Sequence, residues 1–205
     1  MIRFNKMVFS ILMTLVLFLS FSTMTSASGF TKIKATYLDN IMLSSIAKLN
    51  LDGGEVEIKY GKPINIVNIT YKGKTISIDT HFQHCDIGID LLKCEDNNMK
   101  LIQIKAVTGT LQAYYGYWLL GESNGSLITY ISPDSMDNMG CQTIVNSGVP
   151  VSLRTEINDS HLYLRHLAVG NPMGGYKRTY QTDALLEVAW DAKAQWFSLN
   201  SVPIN

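Results

Sequence analysis

Apolar and polar side chains alternate with a period of two along most of the chain. Alternation of this kind puts every second side chain on one face of a β-strand, so that one face can be buried while the other meets solvent. The pattern is clearest in residues 55–60, 74–79, 99–107, 149–157 and 161–167. Short strands spaced about ten residues apart predict a mainly β fold, an antiparallel β-sandwich or barrel.

Two segments have apolar spacings that also suit a helix. Residues 39–49 begin with a capping residue and end before a Gly-Gly pair. In residues 183–197 a helical face would hold Trp190, but the same residues equally fit a strand that turns near Asp191 into a second strand. One or two short helices are therefore expected beside the strands, and the pattern leaves both residues 39–49 and residues 183–197 open between helix and strand.

The first 27 residues have the three regions of a secretory signal peptide. Arg3 and Lys6 form a basic head, an apolar stretch follows, and small residues lead up to Ala27, after which we expect cleavage. The apolar stretch is shorter than the roughly 20 residues that span a bilayer, which argues against a membrane anchor. The sequence thus predicts a secreted or periplasmic protein, with residues 1–27 as signal peptide and residues 28–205 as a single β-rich domain.

The charge balance after the leader argues against a nucleic-acid partner. The whole chain has 17 basic and 17 acidic residues, and the leader holds two of the basic ones, so residues 28–205 have a net charge of −2. Nucleic-acid backbones require clustered Lys and Arg, and no basic run occurs. We expect no nucleic acid as partner and no membrane span after cleavage, and the oligomeric state is left open.

The three cysteines, Cys85, Cys94 and Cys141, limit the possible disulfides. An exported protein lies where disulfides persist, and an odd count leaves one thiol unpaired or pairing between molecules. If residues 86–92 form one strand, Cys85 and Cys94 are roughly 30 Å apart at about 3.3 Å per residue. A disulfide requires Cα atoms within about 7 Å. A bridge therefore involves Cys141, and Cys94 is the favoured partner.

The sequence contains no established catalytic or metal-binding spacing. There is no Gly-x-Ser-x-Gly, no His-Glu-x-x-His and no phosphate-binding glycine loop. His81 and His84 are three residues apart and would point to opposite faces of a strand, and adjacent His84 and Cys85 point apart as well. We expect no metal ion, no cofactor and no catalytic residue. A small secreted hydrolase that uses scattered Asp or His residues is the enzyme alternative.

Period-two alternation does not account for one aromatic cluster, which comprises Tyr114, Tyr115, Tyr117 and Trp118. Its rings lie at both parities of a predicted strand, so both strand faces are aromatic. One face suits core packing, whereas the other must be covered or exposed, and exposed flat rings stack on sugars. We expect these four residues to bind a ligand, and the protein to be a binding module for a glycan or protein at the cell envelope. A surface structural or assembly protein is the third class.

Overall fold

The computed structural model describes residues 28–39, 42, 44–80, 85–108, 113–138, 151–170 and 179–204. This part of the chain contains thirteen strands and one short helix. The strands are β1 Phe30–Leu38, β2 Ile46–Leu51, β3 Gly54–Tyr60, β4 Ile66–Tyr71, β5 Lys74–Asp79, β6 Asp86–Cys94, β7 Lys100–Thr108, β8 Ala113–Ser123, β9 Ser126–Ile131, β10 Val151–Asn158, β11 His161–Gly170, β12 Thr179–Asp191 and β13 Trp196–Val202. The helix is α1 Pro133–Asn138.

The strands form two antiparallel sheets, which confirms the mainly β prediction and is consistent with a sandwich-like fold. β2, β3, β4 and β5 make a four-stranded meander. The larger sheet runs in the order β1-β6-β7-β8-β10-β11-β12-β13, with β9 paired to the end of β8. β10 pairs with the start of β8 at Tyr114, so β9 and β10 follow one another along the same side of β8.

Strands β6, β7 and β8 form the middle of three layers and are buried on both faces. One face packs against the meander in a first core that includes Ile89, Ile104 and Trp118. The other face packs against β11, β12 and β13 in a second core that includes Leu92 and Leu101. This second packing requires the larger sheet to curl, so that its last strands cover its first ones. The curl brings the start of β1 to β11, where Gly29 bridges His161.

Of residues 39–49, which the sequence pattern leaves open between helix and strand, the last four form a strand. From Ile46 these residues belong to β2, in which Ala47, Leu49 and Leu51 are buried and the residues between them are exposed. The period is two because only one face of this edge strand of the meander packs against the middle layer, in the first core. The capping residue at the start of the segment and the Gly-Gly pair after it suit a turn and a hairpin as well as a helix.

Residues 183–197 take the strand alternative, with a turn after Asp191. β12 ends at Asp191 and β13 begins at Trp196. The Asp191 carboxylate accepts hydrogen bonds from the backbone N–H groups of Lys193 and Ala194 at 2.8 and 3.0 Å, which stabilises the turn. Side-chain capping therefore acts here in a hairpin and not at the start of a helix.

The one described helix, α1, follows β9. Ser132 caps it, because its hydroxyl accepts the Ser135 N–H at 3.3 Å while the Ser135 hydroxyl accepts the Ser132 N–H at 2.8 Å. In the part of the chain that the structure describes, no helix is long and apolar enough to cross a membrane. Residues 1–27 lie outside that part, so the signal peptide stays a prediction.

Candidate functional site

A pocket of about 380 Å³ opens between the start of β1 and the β10–β11 hairpin. We call it the seam pocket, because it lies beside the contact that closes the curled sheet, where the Phe30 N–H donates to the Ser160 carbonyl at 2.5 Å. The pocket is lined by Phe30, Thr31, Lys32, Gln103, Thr155, Glu156, Ile157, Ser160 and Leu162. Four different strands therefore position its walls.

A buried polar cluster adjoins the seam pocket. Asp90 and Gln103 are register partners on β6 and β7, and Lys105 lies two residues further along the same face of β7. The Asp90 Oδ2 atom accepts hydrogen bonds from Gln103 Nε2 at 2.8 Å and from Lys105 Nζ at 2.6 Å. Its Oδ1 atom lies 3.2 Å from Lys32 Nζ. The cluster occupies the face of β6 and β7 that carries the second core, so it lies in the interior of the curled sheet.

The surroundings of Asp90 keep its carboxyl ionised. Burial alone would raise the pKa, but the hydrogen bond and charge of Lys105, together with Lys32 and Gln103, outweigh burial and hold the Asp90 pKa below its usual value. A carboxylate with a lowered pKa is a weak base. Asp90 is therefore suited to organising its neighbours and poorly suited to removing a proton.

Two buried polar atoms beside this cluster have no hydrogen-bond partner among the described residues: Gln103 Oε1 and the Tyr117 hydroxyl. Gln103 donates its amide N–H to Asp90, so Oε1 is the atom left to accept from elsewhere. Burial, with the nearby charge of Asp90, raises the pKa of the Tyr117 phenol, which keeps it protonated and able to donate. An unsatisfied buried polar atom costs about 1–3 kcal/mol. Because Gln103 lines the seam pocket, this acceptor lies in the wall of that pocket.

Sequence reasoning missed Asp90, Gln103 and Lys105. Each alternates with Ile or Leu along its strand, which is also the pattern of a solvated strand face. The available signal was that neighbouring positions in the same strands, such as Leu91-Leu92 and Leu101-Ile102, are apolar at both parities. Adjacent apolar residues indicate a strand covered on both faces, where a polar side chain is buried.

Two of the four predicted aromatic ligand-binding residues, Tyr117 and Trp118, lie in different cores. Tyr117 is 1% exposed and lies in the second core, and Trp118 is 5% exposed and lies in the first. Both faces of β8 are thus covered at these positions, which accounts for aromatic side chains at both parities. Tyr114 and Tyr115 lie in β8, but their side chains are outside the described residues, so their role as ligand-binding residues stays a prediction.

Trp118 also lines a second cavity, of about 410 Å³, beside α1. Ser77, Asp79 and Asp134 contribute to its rim. The indole ring is almost entirely covered, so it offers little face for a sugar to stack on. We therefore regard the seam pocket as the stronger candidate site.

Cys85 and Cys94 are buried at the two ends of β6. That residues 86–94 form one strand confirms the expectation that these two cysteines do not pair. No disulfide is present among the described residues, and Cys141 lies outside them. The predicted Cys94–Cys141 bridge therefore finds no support in the structure.

We expect Cys85 and Cys94 to resist alkylation in the folded protein. Burial raises the pKa of Cys85 to about 11 and also raises the pKa of Cys94, and only the thiolate reacts. Iodoacetamide at pH 7 should label both on the order of a hundredfold more slowly than after denaturation, as measured by peptide mass spectrometry. Fast labelling of Cys85 in the folded protein would contradict this and restore a nucleophile hypothesis. If Cys94 stays unlabelled after denaturation until a reductant is added, the bridge to Cys141 exists.

The histidines considered as metal ligands, His81 and His84, are outside the described residues. Within the described ranges, no group of three or more His, Cys, Asp or Glu side chains is placed to hold a metal ion. His161 instead pairs with Glu187, at 2.5 Å between Nδ1 and Oε1.

The seam pocket combines a buried acceptor on Gln103, an ammonium group on Lys32 and several hydroxyl groups with apolar walls. Its acidic side chain, Glu156, is paired with Arg165 at 2.6 Å. This arrangement can hold and orient a small polar ligand. Comparison of the chain with protein-family models, curated proteins and solved structures found no match.

Proposed function

We propose that this protein is an exported binding module that holds a saccharide in the seam pocket. The observation that carries the proposal is Gln103, whose side chain is 2% exposed, lines the pocket and has an Oε1 atom without a described partner. A ligand hydroxyl that donates to this atom removes the desolvation penalty of the buried acceptor. Ligand binding thus supplies the hydrogen bond to Gln103 Oε1 that the described residues do not make.

The chemistry of the pocket walls favours a sugar over other small ligands. Thr155 and Ser160 bring hydroxyl groups, whereas Phe30, Ile157 and Leu162 bring apolar surface. A sugar ring can contact both kinds of surface, since its hydroxyls donate and accept hydrogen bonds and its C–H faces are apolar.

The size of the pocket favours a glycan over a protein partner. Ligand pockets have volumes of about 300–1,000 Å³, and the seam pocket, at about 380 Å³, lies near the lower limit. Such a volume suits one or two sugar rings. A protein partner would instead need a broad exposed surface.

The state of the acidic groups favours binding over hydrolysis. A glycosidase requires one carboxyl with a raised pKa as general acid and a second that is available as base or nucleophile. Asp90 has a lowered pKa and is bonded to Lys105 and Gln103. Glu156 is occupied by Arg165. The pocket region therefore provides neither the general acid nor the available carboxylate that hydrolysis needs.

The proposal is tested by titrating the full-length protein, with any leader removed by its host, with a panel of sugars. The panel comprises glucose, galactose, mannose and N-acetylglucosamine, together with glucuronic and galacturonic acid, and binding is measured by calorimetry and by NMR shifts of the Gln103 side-chain amide. We expect at least one sugar to bind, and Gln103→Met to weaken it about five- to tenfold by removing the acceptor.

Gln195→Met is the matched control, because it makes the same change at an exposed glutamine in the β12–β13 turn. It should leave affinity unchanged. Thr155→Val, which removes only a hydroxyl at the pocket wall, provides a second variant if Gln103→Met does not fold. Absence of binding by every sugar, or equal binding by wild type and both pocket variants, would overturn the proposed function.

A further inference from the structure

Resting on the proposed saccharide function, we infer that the ligand is an acidic sugar whose carboxylate binds Lys32 while a ring hydroxyl donates to Gln103 Oε1. The two groups line the same pocket, and they demand complementary features of one ligand. The Lys32 ammonium favours a ligand with a negatively charged group. The Gln103 amide oxygen favours a ligand with a hydroxyl that donates a hydrogen bond. A hexuronic acid carries both on a single ring.

Lys32 is the second ammonium group around a single carboxylate. Asp90 is already paired with the buried Lys105 at 2.6 Å. Lys32 lies further away, 3.2 Å from the other carboxylate oxygen, and its side chain is 47% exposed. Among these three described side chains there are two positive charges and one negative charge. A bound anion balances the positive charge that Asp90 does not.

The other charged side chain of the pocket wall does not offset Lys32. Glu156 is engaged by Arg165, so this pair contributes no net charge. Together with the side chains paired to it, namely Asp90, Lys105 and Arg165, the lining has a net charge of +1 that attracts an anion.

A β-bulge aims Lys32 at the pocket. Residues two apart in a regular strand point to the same face, but the register of β1 with β6 shifts between Lys32 and Lys34. Lys32 consequently reaches Asp90 in the interior, whereas Lys34 Nζ donates to the Lys48 carbonyl beside the meander. Bulges that redirect a side chain are common next to functional sites. The bulge also provides a matched control lysine on the same strand.

The test compares sugars that differ only at the carboxylate: glucuronate against glucose, and galacturonate against galactose. Calorimetry on the full-length protein at neutral pH should show about tenfold tighter binding of the acid in at least one pair, since a hydrogen bond between charged groups is stronger than a neutral one. Lys32→Met should reduce the affinity for the acid to that for the neutral sugar. Lys34→Met should preserve the preference.

The outcomes separate this inference from the function on which it rests. Equal affinity for acid and neutral sugar, with both lost in Gln103→Met, overturns the acidic ligand and leaves saccharide binding in place. A preference that survives Lys32→Met overturns the role of Lys32. If neither member of either pair binds, the inference fails, and if mannose and N-acetylglucosamine do not bind either, the proposed function fails with it.

Discussion

Replacing Trp118 by alanine is expected to lower the free energy of unfolding by about 3–5 kcal/mol. The indole ring lies between the middle layer and the meander, in contact with the first core, and its removal leaves a large cavity there. Gly116 is shaped to this ring, because a Cβ atom at Gly116 would lie 2.3 Å from the indole Cη2. The cavity cannot be refilled from that side, since glycine has no side chain to move into it.

The measurement is urea unfolding followed by circular dichroism, with Trp196→Ala as the matched control. Trp196 is 44% exposed and packs with one side against Tyr130, so its loss should cost no more than about 1 kcal/mol. The comparison also decides the role of the aromatic cluster. If Trp118→Ala weakened sugar binding without lowering stability, Trp118 would be a ligand-binding residue and its place in the core would be incorrect.

Replacing Asp90 by asparagine is expected to cost about 3–5 kcal/mol at pH 7, because it removes the carboxylate that is paired with the buried Lys105 ammonium. Lys105 is bonded to Asp90 at 2.6 Å, in a part of the interior where both side chains are almost inaccessible to solvent. The amide that replaces the carboxylate keeps the shape of the side chain but carries no charge. The loss therefore reports electrostatics and not packing.

The same pair predicts how stability depends on pH. The folded-state pKa of Asp90 lies below its usual value, so its contribution is present above the unfolded pKa of about 4 and is lost as the pH falls through the folded pKa. The difference in stability between wild type and Asp90→Asn should therefore shrink on acidification below about pH 4. Unfolding curves at neutral and acidic pH measure it.

Two controls separate a buried pair from a surface pair. Glu55→Gln breaks the solvent-exposed pair between Lys48 and Glu55 and should leave stability unchanged. The double variant Asp90→Leu with Lys105→Met removes both charges and should recover much of the stability lost in Asp90→Asn. If the double variant were less stable than the single one, the pair would be a net source of stability and this account of Lys105 would be wrong.

The hairpins show how far local sequence determines this fold. Asn124-Gly125 joins β8 to β9, and both residues have positive φ, 50° and 75°, as the turn requires. Lys72-Gly73 joins β4 to β5 in the same way, with φ of 48° and 75°. Such turns are encoded by two residues, because asparagine and glycine accept this backbone conformation at little cost. Period-two alternation determines the flanking strands by an equally local rule.

The candidate site shows where local rules end. The alternation of apolar and polar residues in Ile102-Gln103-Ile104-Lys105 is typical of a strand with one solvent-exposed face. Gln103 and Lys105 are nevertheless both buried. Gln103 lies beneath the start of β1 and the β10–β11 hairpin, and that hairpin comes about fifty residues later in the chain. The bulge at Lys32 is also invisible to periodicity, since it depends on pairing with β6.

The sequence by itself therefore determined the strand-rich class of the protein, most of its strands and the hairpins that join them, because these depend on side-chain period and turn geometry within a few residues. Only the tertiary structure decided which strand faces are covered. Curling of the larger sheet buried Tyr117 in the second core and enclosed Asp90, Gln103 and Lys105 beside a pocket, whereas the meander buried Trp118 in the first core. Burial is a property of contacts between residues distant along the chain, and for that reason the pattern of a single strand cannot specify it.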